Sequence, residues 1–406
     1  MSLKIRLQLS ILMFLQYFVW GTWYVTISTY LTTTLHFAPI QVGLVFGTFS
    51  IAAMVSPFFV GLVADKFFAT EKTLGVLHLL GAALLLLTST FKTFGFFYPG
   101  LLLYAMCYTP TMALSNSLSF HQMEEPGRQF PGVRVLGTIG WIAAGMTIGF
   151  MKVESSVVQI YVAAIVSALL GLYCFTLPHV PPKKGIQASL AEIIGLDALK
   201  LLKEKAFALI IIASVLTCIP LAFYYSWTNP FLNELGMKYA ASKMTMGQMF
   251  EIIFMLVMPF FFVRLGVKKM IMIGMAAWII RYLMFAYGNN DNLVWMLYIG
   301  IILHGLCYDF FFVTGQIFVD KKAPGHLRAS AQGMITFATY GLGMFIGTWF
   351  SGVTVGWFTP AATGQLTHQW TQIWLVPMVI ALVVLILFAL LFRGDAKGGK
   401  SEAVAT

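Results

Sequence analysis

What most limits this chain is its succession of apolar runs, each about the length of a membrane-crossing helix and each closed by a short polar turn. Twelve such runs are placed. The first six lie near 7–32, 41–64, 72–91, 95–120, 130–151 and 156–178, the second six near 206–233, 244–263, 269–288, 293–318, 328–352 and 371–392. Hydrocarbon offers no water to bare backbone N–H and C=O groups, so runs of this length must satisfy them internally as helices. The sequence therefore predicts an all-α membrane protein of twelve transmembrane helices. Composition agrees. Only 10% of residues are charged and 59% are hydrophobic, where soluble domains carry about 25% charged residues. Pro57, Pro110, Pro220 and Pro259 fall inside runs, which helices surrounded by other helices tolerate. The start, MSLKIRLQLSILMFLQYFVW, lacks a small-residue cleavage site and reads as a retained first span.

Charge sets the orientation. The net charge is +10, but the basic residues form short clusters between apolar runs instead of a single face or tail, which excludes a nucleic-acid partner. With both termini cytoplasmic, nineteen Lys and Arg fall inside, and only Lys92, Lys152, Lys238 and Lys243 fall outside. The expected organisation is a six-helix bundle over 1–178, a cytoplasmic linker with an amphipathic helix over 179–205, a second six-helix bundle over 206–392, and a disordered cytoplasmic tail over 393–406. Cys107, Cys174, Cys218 and Cys307 lie inside apolar runs without metal-ligand spacing, so neither a disulfide framework nor a metal site is expected.

The halves echo one another. GLVADKFFATEK (Gly61 to Lys72) follows the second run and VRLGVKK (Val263 to Lys269) the eighth, and setting Lys66 on Arg264 offsets them by nearly half the chain. This six-plus-six repeat resembles the major facilitator superfamily, whose loop signature is matched by Gly61, Asp65 and Lys66. Phe68 replaces its second Gly, and Ala69-Thr70 its basic pair. The resemblance implies parallel halves, a solute site between them near mid-membrane, and a conformational role for Asp65 and Lys66.

Ionisable residues inside spans are costly and mark function. Arg134, Thr138 and Trp141 follow at i, i+4 and i+7, offering a cation, a hydroxyl and a ring on one helix face; the other reading of Arg134 is snorkelling to headgroups. Gln248 and Glu251 share a face of the eighth run. A carboxyl this deep cannot stay charged unpaired and so can take up a proton reversibly, unless Arg281 is its standing partner. Asp309 lies in the tenth run near His304 and Tyr308. An Asp309–Arg134 pair would join the halves as a gate, and a loop base is the alternative partner. Gln16, Trp20, Trp23, Thr26 and Tyr30 line one face of the first run, as a helix seam or a cavity wall. Arg281 is expected to serve structure. Gly341 and Gly343 read as close helix packing, not a cofactor loop.

FLQYFVWGTW, FPGVRVLGTIGW, PFFFVRLGVKKMIMIGMAAWIIRYLMFAYG and CYDFFFVTGQIFVDKKAPGHLRASAQGM together resemble the bacterial nucleoside:proton symporters, a branch of the major facilitators. The resemblance covers nearly the whole chain. It implies a monomeric, multi-pass inner-membrane carrier surrounded by lipid, importing nucleosides with protons and needing no cofactor. It places solute contacts on Arg134, Thr138, Trp141, Tyr225, Gln248, Glu251, His304 and Tyr308, and proton coupling on Glu251 and Asp309. Ala222 and Tyr225 stand where relatives carry amides, and His304 where a Tyr can occur. These departures motivate the alternative of another small polar cargo: a sugar, peptide or cell-wall fragment. No nucleophile–base pair or P-loop is found, so no enzyme is expected.

Overall fold

A computed structural model describes residues 1–182, 196–360 and 368–392, without the side chains of 57–67, 127, 197, 326 and 329. Residues 183–195 of the expected amphipathic linker and the whole C-terminal tail lie outside the described residues. Within them the chain is helical and contains no strand. The first group comprises α1 (Leu3–Gly21), α2 (Ile27–Thr33), α3 (Pro39–Phe67), α4 (Thr70–Thr90), α5 (Phe94–His121), α6 (Pro126–Met151) and α7 (Val158–Cys174). After a short 3-10 turn at Leu196–Lys203 come α8 (Lys205–Glu234), α9 (Ala240–Tyr287), α10 (Val294–Tyr308) and α11 (Thr314–Lys322). The chain ends with α12 (Arg328–Thr336), α13 (Met344–Trp357) and α14 (Trp370–Leu391).

Several apolar runs are not single regular helices. The first breaks at Thr22–Thr26, where Thr22 Oγ1 donates to the Val19 carbonyl at 2.8 Å. Non-helical backbone at this depth is tolerated because residues 21–32 are buried in protein. The eighth and ninth runs share α9, which kinks at Gly266, whose φ of 66° is open to glycine without strain. π-helical turns at Asp309–Val313 and Phe337–Gly343 interrupt the tenth and eleventh. Seven helices of the described residues are, by length and composition, apolar enough to cross a membrane.

Most helix contacts stay within one half of the chain, often between helices that are not sequence neighbours. α1 lies on α6, α4 on α5 and α7, and α3 on α5. In the second group α9 lies on α10 and α14, and α8 on α13 and α14. The groups meet mainly along two seams, α3 against α13 and α6 against α9, with a smaller contact of α2 on α8. Missing side chains permit this contact: a Cβ on Gly43 would strike the Thr348 carbonyl of α13. Polarity is inverted relative to a soluble protein. Leu86, Leu87, Ile165, Leu169, Leu256 and Leu390 are exposed, while Gln16, His78, Gln159, Asn229, Arg281, His304 and Asp309 are buried. This is a surface for lipid around an apolar interior that holds scattered polar groups.

Gln16 belongs to that interior as a seam residue. It donates to Thr111 Oγ1 at 2.7 Å, accepts from His78 Nε2 at 2.9 Å, and its carbonyl accepts from the Tyr108 hydroxyl at 2.5 Å. α1, α4 and α5 are thereby tied together by satisfied polar groups.

Candidate functional site

Where α6 faces α9, the polar residues converge. Arg134, Thr138 and Trp141 occupy α6 and are each half-buried. The Arg134 guanidinium lies 4.2 Å from the Tyr17 ring centre, a cation–π contact with α1. Trp141 meets Trp20 edge-on at 5.0 Å and Tyr24 at 6.3 Å. The break between α1 and α2 thus delivers aromatic rings to the site, and Tyr24 reaches across to Tyr225 of α8 at 5.7 Å.

From the second group, Gln248 borders a small cleft with Trp141, Tyr224, Met244 and Thr245. Glu251 lies one turn further along α9, where Gly305 lets α10 approach its backbone closely. The Glu251 carboxyl is half-buried and has neither a hydrogen bond nor an ion pair among the described residues. Its electrostatic neighbours are Arg134 across the seam, Tyr225, Tyr308, Tyr340 and Asp309. His304 stacks on Tyr224 at 4.7 Å and meets Tyr225 edge-on at 5.7 Å. Tyr308 and Tyr340 join hydroxyl to hydroxyl, Tyr308 just before one π turn and Tyr340 within the other, a distortion that recurs at functional sites. They border a second cleft with Cys218, Leu221 and Gln316.

The structure corrects the expected pairings. Arg134 and Asp309 form no ion pair: Arg134 is taken up by Tyr17, and both Asp309 carboxyl oxygens are buried without a partner. Arg281 serves His304, not Glu251, with Nη1 and Nδ1 3.1 Å apart. The side chains of Asp65 and Lys66 lie outside the described residues.

One polar group was missed because it sits in a turn. Glu154, after α6, is 6% exposed. Its carboxylate accepts from Asn229 and Asn233 Nδ2, each at 2.7 Å, and from the Ala241 amide at 3.0 Å. Thr29 donates to Asn229 at 2.5 Å, and Ser242 to the Met146 carbonyl at 3.3 Å. Every hydrogen bond between the two groups found among the described residues lies at this end. The signal in the sequence was Asn229 and Asn233, one helical turn apart in an apolar run.

The arrangement, a carboxyl without a protein partner, a guanidinium, an amide and flat aromatic walls, suits a planar polar solute and a transferable proton. Known proteins share its scaffold. YegT of Escherichia coli (strain K12) is 40% identical over 96% of this chain and 94% of its own length. The xanthosine permease of the same organism is 33% identical over 97% and 96%. The crystal structure of the nucleoside transporter NupG superposes with a TM-score of 0.88 at 33% identity, covering 96% of this chain and all of that one. With residues 1–397 matching the nucleoside H+ symporter family from one end to the other, the chain belongs to that family.

Proposed function

We propose that this chain imports nucleosides with protons across the bacterial inner membrane by alternating access. It does so as a monomer in lipid, with twelve spans in two six-helix bundles of the major facilitator kind, over 1–178 and 206–392, and both termini cytoplasmic. The observation that carries this reading is Glu251: a half-buried carboxyl inside an apolar helix, unbonded by protein and facing Arg134 across the seam. An ionised group left unmatched at that depth costs several kcal/mol, on the order expected for desolvated charge. A ligand or a proton must therefore complete it.

The roles follow from chemistry. Glu251 accepts from ribose hydroxyls or takes the proton, Gln248 and Thr138 bond the solute, and Arg134 balances charge. Trp141, Tyr225 and Tyr308 offer rings to a planar base. Asp309 is the second proton-carrying group, and the Asp65–Lys66 motif serves the conformational change. On this orientation the Glu154 end is the outer one, and its hydrogen bonds hold that end shut.

The test is uptake of labelled uridine or adenosine by cells producing the full chain. Uptake should rise with an inward proton gradient and collapse with a protonophore. In Glu251→Gln, gradient-driven accumulation should fall at least about tenfold, the scale of one lost charge-assisted contact. Uptake indifferent to uncoupler, with this variant at wild-type rate, refutes the coupling assignment.

A further inference from the structure

Arg281 of α9 is a cation completely buried in an apolar helix. No carboxylate lies within ion-pair distance of it among the described residues, and its Nε and Nη2 have no hydrogen-bond partner. It is held by π faces, with the guanidinium 3.4 Å from the Tyr224 ring centre and 5.2 Å from that of Trp278. Such a placement is expensive in a membrane. Its Nη1 hydrogen-bonds a member of the solute site, His304 Nδ1, at 3.1 Å.

That bond has one consequence. A guanidinium carries only donors, so Nδ1 must accept, and an accepting Nδ1 carries no proton. His304 is thereby fixed as the neutral tautomer with its hydrogen on Nε2. Nε2 has no partner among the described residues, and the ring stands among Tyr224, Tyr225 and Tyr308. The ribose-binding chemistry, acceptor carboxyl and amide, lies on α9 at Glu251 and Gln248. The aromatic surroundings of His304 suit the flat part of the solute instead.

We propose that Arg281 is a positioning residue that locks His304 as the Nε2–H tautomer, so that the site presents a fixed donor to an acceptor atom on the nucleobase edge. This rests on the nucleoside reading above. It makes Arg281 a determinant of base recognition without touching solute.

The test combines transport with spectroscopy on the full chain. KM and Vmax for labelled uridine are measured at fixed proton gradient in wild type, Arg281→Lys, Arg281→Met, His304→Phe and the Arg281→Met/His304→Phe double variant. Protein labelled with 15N only at histidine reports the tautomer, the His304 signals being those lost in His304→Phe. Wild type and Arg281→Lys should show an accepting Nδ1 and a protonated Nε2, and Arg281→Met a mixture. Arg281→Met should raise KM about tenfold, as for one lost hydrogen bond, with Vmax within about twofold. It should add nothing in the His304→Phe background, because the coupling runs through that ring. A tautomer unchanged in Arg281→Met overturns the proposal, as does a fall in Vmax at constant KM or an additive double variant. Should Arg281→Met fail to fold, Arg281→Lys decides: loss of the single tautomer there, where a donor-only side chain is kept, refutes the lock. If wild type takes up no nucleoside, the nucleoside reading falls, while the spectra still decide whether Arg281 sets the tautomer.

Discussion

Asp309 shows what a single residue can carry in this environment. It is fully buried, opens a π turn, and neither carboxyl oxygen has a partner among the described residues. A sealed, unpartnered carboxylate is the most costly state such a side chain can adopt, so the neutral acid is the form this conformation holds. Asparagine reproduces the shape of that acid but cannot release a proton. Asp309→Asn is therefore expected to melt within the range of about 1 kcal/mol typical of mild substitutions. In proteoliposomes it should keep nucleoside counterflow while losing accumulation driven by a pH gradient. Accumulation at the wild-type level would remove Asp309 from the coupling path. Residues of this kind were legible in the sequence, because an ionisable group inside an apolar run is rare enough to signal by itself. Their partners were not. Helical spacing tells which residues share a face but not which helices become neighbours, so Tyr17 as the seat of Arg134 was invisible. Tyr24, Tyr224 and Tyr340 gave no signal either, in a chain where aromatics make up 15% of residues.

Among the elements, the turn after α6 does the most with the least sequence. α6 ends at Met151, Lys152 takes a left-handed φ of 57°, and Glu154 is turned back into the protein. Gln159 braces the turn by donating to the Glu154 carbonyl at 2.8 Å while accepting from Thr26 at 2.6 Å. Three donors from α8 and the start of α9 then converge on one carboxylate. Hydrogen bonds to an ionised acceptor are about twice as strong as neutral ones, so removing the carboxylate should shift the balance between closed and open at this end by about tenfold or more. Glu154→Ala is expected to expose a cysteine placed at Ser28, buried on α2 beside Thr29, to membrane-impermeant thiol reagent added outside, and to lower Vmax more than it changes KM. Unaltered labelling would show that the seal rests on apolar packing alone. The apolar runs themselves were readable, since length and hydropathy suffice for them. The boundary between the eighth and ninth runs was readable too, since the break at Gly266 falls between them; the break at Thr22–Thr26 and the π turns were not, because backbone irregularity depends on which neighbours satisfy the freed groups.

At the scale of the whole molecule, the asymmetry between its two ends is what makes it a carrier. The two groups of helices touch along α3–α13 and α6–α9, but the polar ties between them found among the described residues are all near Glu154. Seams of small residues and aromatic rings can slide or rock at little cost, since apolar contacts are exchanged for similar ones. Hydrogen bonds at one end give that motion two definite states. If transport requires this end to open, a covalent tie across it must stop the cycle without damaging the site. Thr29 and Asn229 supply the place, their side-chain tips 2.5 Å apart on α2 and α8. Paired cysteines at these positions, oxidised in intact cells, should abolish uptake, and reductant should restore it. Each single cysteine variant, which carries the same four native cysteines, should be indifferent to oxidant. The purified, cross-linked protein should still be stabilised by nucleoside, because a ligand that binds the folded state raises its melting temperature and the site stays reachable from the opposite end. Cross-linked protein that transports at the rate of the reduced form would show that solute passes without this end opening, and alternating access about these seams would be wrong.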